Sequence, residues 1–133
     1  MTDTAKQKIM LVEDEAITAL DIKHMLEING YEVSAVITTG REAVEKVDEI
    51  KPDLILMDIM LMDELDGIQA NEKIIKKINV PIVYLTASSD PSTINRADKS
   101  KHYGYIIKPV NRKDLFSIIS TAIQRHNLEK NPA

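Results

Sequence analysis

Residues 54–61 read LILMDIML, an apolar run with one carboxylate, Asp58, set inside it. An ionised carboxylate is costly to bury unless another group compensates its charge. Continuous apolar runs of this kind are typical of central strands that a parallel sheet buries on both faces. We therefore expect a strand over residues 54–57 that ends beside Asp58, with a cation close to that carboxylate.

Similar apolar runs alternate with longer amphipathic segments along the chain. They predict strands at residues 9–12, 31–37, 54–57, 82–85 and 105–107. Helical periodicity follows each strand. The start signals of the later helices are a capping box of Thr39 and Glu42, the pair Asp66-Gly67, the pair Asp90-Pro91, and Asn111. Five βα units in succession predict an α/β fold, with a mostly parallel sheet between two layers of helices.

The bulk composition is that of an ordinary globular domain: 44% of the 133 residues are hydrophobic and 29% are charged. We predict one domain over residues 1–133, with its core at about 8–127 and a polar tail after it. The absence of cysteine, of a signal-peptide pattern and of a membrane-length apolar run fits a cytoplasmic protein. The net charge of −4 argues against general nucleic-acid affinity.

Polar side chains follow the predicted strands at the points where the strands end. They are Glu13, Asp14 and Glu15 after the first strand, Asp58 after the third, Thr86 after the fourth and Lys108 after the fifth. The carboxyl ends of parallel strands meet at one edge of a sheet, and ligands of open α/β sheets bind outside that edge. Taken alone, most of these residues are better explained as loop residues or helix caps. Asp58 is less easily explained in this way, because its neighbours are apolar. Their joint order favours a shared site.

The chemistry of that site follows from its charges. Three carboxylates held close together repel one another unless a counter-charge is present. Lys108 supplies part of that charge, and Mg²⁺, which prefers oxygen ligands, would supply the rest. Asp58 then becomes a candidate nucleophile of the kind that forms aspartyl phosphates. The three histidines, His24, His102 and His126, lack metal-ligand spacing and are interpreted as surface or helix-end residues.

These residues, with LMDIM around Asp58 and the pair Lys108-Pro109, resemble the CheY-like receiver domains of two-component response regulators. The resemblance covers about residues 8–127. It implies a doubly wound, flavodoxin-like (βα)5 three-layer sandwich with strand order 2-1-3-4-5. It also implies a signalling switch that catalyses only its own phosphorylation and dephosphorylation, with Mg²⁺ as cofactor.

The resemblance assigns a role to most of the strand-end residues. Asp58 corresponds to the phosphoacceptor, and Lys108 to the catalytic lysine that binds the phosphoryl group. Glu13 and Asp14 correspond to the acidic pair, with Asp14 the direct Mg²⁺ ligand. The backbone carbonyl of Met60 corresponds to the third protein ligand, so the implied metal site comprises Glu13, Asp14, Asp58 and Met60.

The resemblance also assigns the switch. Thr86 corresponds to the hydroxyl that moves onto the phosphoryl group, and Ala87 is the small neighbour that leaves room for that group. Tyr105 corresponds to the aromatic side chain that turns inward when Thr86 moves. The Lys108–Pro109 peptide is usually cis in the family. The face formed by the fourth helix, fifth strand and fifth helix is expected to change its partner preference.

The chain departs from the family pattern in two segments. The loop after Asp58 lacks the common proline at position 62, where this chain has Met62, and looks one residue longer than usual. The Gly-Ala pair often found before the fifth strand is replaced by Lys101-His102.

A third departure concerns the hydrolysis of the acyl phosphate. Met60 stands where many relatives carry a polar side chain that orients the attacking water, and Ser88 is the other position expected to tune that step. A thioether cannot direct a water molecule as an amide can. We therefore predict a slowly hydrolysed acyl phosphate.

Three other functions fit parts of the same pattern. A Mg²⁺-dependent phosphatase of the haloacid dehalogenase type also uses a strand-end aspartate, but it needs a DxD motif where this chain reads EDE. A flavin carrier of the same topology needs a phosphate-binding loop there, and the acids would repel the phosphate. A receiver that acts only through protein contacts does not explain the intact set of Asp58, Thr86 and Lys108.

The implied partners are a histidine kinase or a histidine phosphotransfer protein, and an output partner that the sequence does not identify. A homodimer through the face of the fourth helix, fifth strand and fifth helix is an alternative to a monomer. We expect no direct nucleic-acid binding and no membrane insertion. The sequence leaves open whether the chain is a stand-alone receiver or a module of a larger regulator or hybrid kinase.

Overall fold

The computed structural model describes residues 6–87 and 90–130, in which strands and helices alternate. The strands are β1 (Lys8–Val12), β2 (Glu32–Ile37), β3 (Leu54–Asp58), β4 (Ile82–Thr86) and β5 (Tyr105–Ile107). The helices are α1 (Ala16–Ile28), α2 (Gly40–Ile50), α3 (Gly67–Ile74), α4 (Pro91–Lys99) and α5 (Arg112–Lys130). The predicted succession of five βα units is confirmed.

The strands form one parallel sheet in the order β2-β1-β3-β4-β5. Helices α1 and α5 cover one face, and α2, α3 and α4 cover the other. The flavodoxin-like α/β fold implied by the resemblance is therefore confirmed. At their carboxyl ends, β3 and β4 extend one residue further than predicted, because Asp58 pairs with Leu85 and Thr86 pairs with Ile107. Both polar residues thus belong to strands and are held by the sheet.

The core has two halves because successive side chains of a strand point to opposite faces of the sheet. In β3, Leu54 and Leu56 pack on the side of α1 and α5, while Ile55 and Met57 pack on the side of α2, α3 and α4. Every residue of β3 and β4 is buried. Continuous apolar sequence therefore indicates, as expected, the two strands that the helices cover most completely.

The helix caps follow the sequence signals with one exception. The Thr39 side chain accepts a hydrogen bond from the Glu42 amide at 3.1 Å. The Glu42 carboxylate, however, bonds Lys46 at 2.9 Å, so the predicted capping box of α2 is replaced by a single cap and an ion pair. A complete capping box occurs instead at α3, between Asp66 and Gln69.

The apolar residues Ala70, Ile74 and Ile78 have helical spacing, which predicts a helix that extends to Ile78. α3 is shorter than this pattern predicts. It ends at Ile74, so Ile78 lies outside the helix, although it still packs against the core. The amides of Lys76 and Lys77 bond the carbonyls three residues back, at 3.3 and 2.8 Å. Bonds of this tighter type end an α-helix.

α5 extends into the predicted polar tail, because it includes residues 128–130. The Tyr103 hydroxyl donates a hydrogen bond to the Glu129 carboxylate, and Arg125 lies over the Tyr103 ring at 5.0 Å. These contacts hold the last turns of the helix. No helix within residues 6–87 and 90–130 combines the length and apolar character that a membrane span requires.

Candidate functional site

Three carboxylates meet at the carboxyl edge of the sheet. Glu13 and Asp14 follow β1 directly, Asp58 ends β3, and one oxygen atom of each lies within 4.8 Å of the others. The strands are neighbours, with Val12 opposite Met57, which brings the acids together. Glu13 is 1% and Asp58 3% exposed, whereas Asp14 faces solvent. The acids that the sequence placed at this edge are therefore adjacent in space.

The amine of Lys108 lies between two of these carboxylates. Its Nζ donates to Glu13 Oε1 at 2.6 Å and to Asp58 Oδ2 at 3.1 Å. Its backbone N–H donates to the Thr86 carbonyl at 2.8 Å, which ties the lysine to the end of β4. The Lys108–Pro109 peptide is cis, as the resemblance implied. A cation close to Asp58 is therefore supplied by this chain.

Burial and contact have opposite effects on the protonation of these groups. Burial raises the pKa of Glu13 and the Asp58 carboxylate adds to the rise, while bonds from Lys108 and the Glu15 amide oppose it. Burial lowers the pKa of Lys108, but its bonds and charge interactions with Glu13 and Asp58 outweigh that effect, so its pKa is raised. The amine therefore stays charged and compensates part of the buried negative charge.

The start of α3 fixes the end of β3. The Gly67 N–H donates to the Ile59 carbonyl at 2.9 Å, and the Met60 N–H donates to Asp58 Oδ1 at 2.9 Å. A Cβ atom on Gly67 would lie 2.2 Å from the Asp58 carbonyl oxygen, far inside contact distance. The sequence indicates Gly67 only as a helix start, because a close approach between segments leaves no local signal.

The residues assigned to the switch lie at the ends of β4 and β5. Thr86 is fully buried, and Ala87 after it is exposed. Tyr105 is 36% exposed, and its ring stacks on that of His102 with 6.3 Å between the centroids. Ser88 lies outside the described residues. The ring of Tyr105 is thus partly in solvent, and its inward turn stays a prediction.

His126 corrects one interpretation made from the sequence. It is buried rather than on the surface, and its Nε2–H donates to Asn79 Oδ1 at 3.1 Å. Its position three and seven residues after Ile123 and Ile119, on the apolar side of α5, is the signal that could have revealed this burial. No histidine belongs to the acidic cluster that forms the potential metal site among the described residues.

The backbone of the loop between β3 and α3 also contributes to the cluster, and no local pattern in the sequence indicates this. The Met62 N–H donates to Asp14 Oδ2 at 3.0 Å. The side chains of Met60 and Met62 are exposed, at 52% and 88%. The loop therefore contributes main-chain donors to two of the acids, while its thioethers remain at the surface.

The donor set fits a hard divalent cation. The three clustered carboxylates offer only oxygen atoms, and two of them are buried with incomplete compensation by Lys108. Oxygen ligands of this kind suit Mg²⁺, whereas softer metals favour nitrogen and sulfur. Glu13, Asp14 and Asp58 are thus the side chains that could hold Mg²⁺, and a contribution from the Met60 carbonyl stays a prediction.

A large open hollow of about 960 Å³ lies beside Lys108, between α1 and the segment after β5. Its walls include Ile17 and Leu20 of α1, which are 82% and 68% exposed, and Pro109 and Val110. Apolar side chains with this much exposure on a small domain are typical of a surface that another protein covers.

Comparisons with known proteins agree with this architecture. The family model of the response regulator receiver domain matches residues 9–120. The transcriptional regulatory protein PdtaR of Mycobacterium tuberculosis is 38% identical over 119 residues, which are 90% of this chain and 58% of that protein. The chain therefore spans little more than half the length of this relative.

Solved structures show the same fold. The signal receiver domain of a modulated diguanylate cyclase from Desulfovibrio desulfuricans G20 is 35% identical with a TM-score of 0.89, covering 94% of this chain and 99% of that one. The receiver domain of the sensor histidine kinase PA1611 from Pseudomonas aeruginosa PAO1 is 32% identical with a TM-score of 0.82, covering 90% and 99%. That structure has a magnesium ion coordinated in its active-site cleft.

Proposed function

This chain belongs to the response regulator receiver domain family, and we propose that it is a phosphorylation-activated switch with Asp58 as its phosphoacceptor. The observation that carries the proposal is the pairing of Asp58 with Lys108 at 3.1 Å, inside a cluster of three carboxylates. A buried acid that contacts both a cation and further acids is costly as a purely structural feature. It is well suited to a reaction in which a phosphoryl group is transferred to that carboxylate.

The proposed reaction moves a phosphoryl group from a phosphohistidine to Asp58. A carboxylate oxygen forms a bond to phosphorus, the P–N bond breaks, and the donor imidazole leaves with the electron pair. Lys108 would donate to a phosphoryl oxygen, and the Met60 N–H holds the carboxylate in place. Bound Mg²⁺, held by Glu13, Asp14 and Asp58, would supply positive charge to the transferring group.

Activation would follow from new contacts of the phosphoryl group. The modification adds negative charge and acceptor oxygens at the edge of the sheet. The Thr86 hydroxyl would bond one of these oxygens, beside the space left by Ala87, and Tyr105 would leave its stacked position on His102. The surface formed by α4, β5 and α5 would then favour a different partner. Such a shift requires the phosphoryl group to bind one packing better than the other.

A histidine kinase or histidine phosphotransfer protein is the proposed donor. The hollow beside Lys108 supports this proposal, because Ile17 and Leu20 are exposed next to the reaction site. A donor protein must bring its phosphohistidine to Asp58. An exposed apolar surface beside Lys108 would let such a protein bind next to that aspartate. The output partner is left unassigned.

The proposal is tested by incubating the chain with Mg²⁺ and a small acyl phosphate or phosphoramidate donor. Intact mass analysis should show one added phosphoryl group, and peptide mapping should locate it at Asp58. Asp58→Asn should abolish the addition, whereas Asp63→Asn, a nearby exposed acid, should retain it. Modification that persists in Asp58→Asn would refute the assignment.

The lifetime of the phosphoryl group gives a second test. Met60 should leave the attacking water without a polar partner, so Met60→Asn is expected to hydrolyse the acyl phosphate several-fold faster than the parent. Met60→Leu, which is also apolar, serves as the control and should match the parent. Equal lifetimes in the parent and Met60→Asn would contradict this role.

A further inference from the structure

The loop between β3 and α3 contains a main-chain hydrogen bond that bears on the metal site. The Met62 N–H donates to Asp14 Oδ2 at 3.0 Å, over a sequence separation of 48 residues. Asp14 is the exposed member of the acidic cluster, whereas Glu13 and Asp58 are fixed by burial and by Lys108. Without the loop, the Asp14 side chain would have the freest choice of rotamer among the three.

We propose that Met62 is a positioning residue for the cation site: its backbone N–H presets the Asp14 carboxylate for Mg²⁺. This inference rests on the proposed function. A carboxylate has two oxygens, so one of them can accept from an amide while the other binds a cation. Fixing the ligand before the cation arrives reduces the ordering that binding must otherwise supply.

The identity of the residue at position 62 decides whether the bond can form. A proline, the residue that the receiver resemblance leads one to expect here, has no N–H. Any other residue can donate, so the bond depends on the main chain and not on the thioether. The Met62 side chain is 88% exposed and contributes little to the fold. The departure from the family pattern thus adds a donor to the metal site.

The same loop fixes a second acid in the same way. The Met60 N–H donates to Asp58 Oδ1 at 2.9 Å, and the Met62 N–H lies two residues further along. The amides of Met60 and Met62 therefore hold two acids, Asp58 at the end of β3 and Asp14 just after β1. The Gly67 N–H, at the start of α3, donates to the carbonyl of Ile59, just after β3, and so ties the two ends of the loop together. A loop held at both ends can act as a fixed support for Asp14.

The first experiment measures Mg²⁺ affinity by calorimetry, without phosphorylation. Met62→Pro removes the donor and should weaken Mg²⁺ binding roughly 10-fold, as expected when a group that orients a metal ligand is lost. Met62→Ala keeps the donor and should bind Mg²⁺ within about 2-fold of the parent, since an exposed side chain has little influence. Equal losses in both variants, or no loss in Met62→Pro, would overturn the proposal.

A second measurement does not depend on the folding of the proline variant. Amide hydrogen exchange of Met62 in the metal-free parent should be slower than in Asp14→Ala, which removes the acceptor. Glu13→Gln removes a charge of the cluster but leaves Asp14, and should retain the protection. Exchange of Met62 at the same rate in the parent and Asp14→Ala would refute the bond.

These results separate the positioning role from the proposed function. A parent that binds Mg²⁺ with the expected dependence on position 62, but is never phosphorylated on Asp58, would refute the switch and leave the positioning role intact. If the parent is phosphorylated on Asp58 but Met62→Pro binds Mg²⁺ as tightly as the parent, the positioning role is refuted and the proposed switch stands.

Discussion

α5 and α4 lie on opposite faces of the sheet and are attached to it in different ways. α5 buries a row of side chains against the core: Leu115, Ile119, Ala122, Ile123 and His126. α4 has only Ala97 buried. Polar contacts also attach it, through Arg96 to Asp66 and through Ser100, which follows the helix, to Tyr84. α5 is held mainly by apolar burial, whereas α4 combines less burial with a few directional bonds.

The polar attachment of α4 forms a directed chain of hydrogen bonds. Asn71 Nδ2 donates to the Tyr84 hydroxyl at 2.6 Å and to the Lys101 carbonyl at 2.9 Å. Ser100 Oγ donates to the Ala97 carbonyl, so the Tyr84 hydroxyl is the donor towards Ser100. α4 buries much less apolar surface than α5 does. We therefore expect α4 to rearrange at a lower cost than α5.

The largest expected effect is on α5. Leu115→Ala should lower the free energy of unfolding by about 2–5 kcal/mol, because it removes a fully buried side chain from the core. Urea unfolding followed by circular dichroism measures the change. Ile94→Ala, which truncates a half-buried residue of α4, is the matched variant and should cost clearly less. Equal losses would remove the distinction between the two helices.

The next effect concerns the polar chain. Asn71→Ala should lower the free energy of unfolding by about 1–3 kcal/mol, because Tyr84 and the Lys101 carbonyl lose their donor. Hydrogen exchange should accelerate in α4 and remain slow in α5. Asn95→Ala, at an exposed position of α4, controls for the loss of an amide. Uniform acceleration in both helices would show that α4 is not a separate unit.

A smaller effect should appear as a dependence of the free energy of unfolding on pH, because of the buried His126 of α5. Burial, with the charges of Lys130 and Lys101, lowers the pKa of His126 from 6.5, although Glu129 opposes the shift. The unfolded chain therefore binds the proton more readily, and stability should fall as the pH drops through 6.5 towards the folded pKa. The parent should lose more stability between about pH 7 and pH 5 than His126→Gln. Identical profiles would contradict this.

The smallest effect is expected for the ion pair between α4 and α3. Arg96 Nη2 lies 2.8 Å from Asp66 Oδ2, but the arginine side chain is half exposed. Arg96→Ala should therefore cost less than about 1 kcal/mol of unfolding free energy. Local hydrogen exchange in α4 should nonetheless increase more than in Lys99→Ala, an exposed basic residue on the same helix. A loss as large as that of Asn71→Ala would reverse the order.

The sequence predicted the sheet well because its signals are local and strong. The continuous apolar runs located β3 and β4, and the polar residue after each run located the site edge. Contacts between separate segments were not predictable, because they depend on the loop conformation. Examples are the close approach of Gly67 to the Asp58 carbonyl, which leaves no room for a Cβ atom, and the bond from Met62 to Asp14. The burial of His126 was missed because a histidine carries no strong preference for the interior or the surface.

The ion pairs of Lys108 have a consequence for the order in which the protein is made. Its amine is separated by 95 residues from Glu13 and by 50 from Asp58. A ribosome releases both acids before the lysine, and a domain generally folds as a unit. Until Lys108 has been made, the carboxylates of Glu13 and Asp58 lack the positive charge that compensates them when they are buried. This edge of the sheet is therefore completed only after β5 and Lys108 have been made.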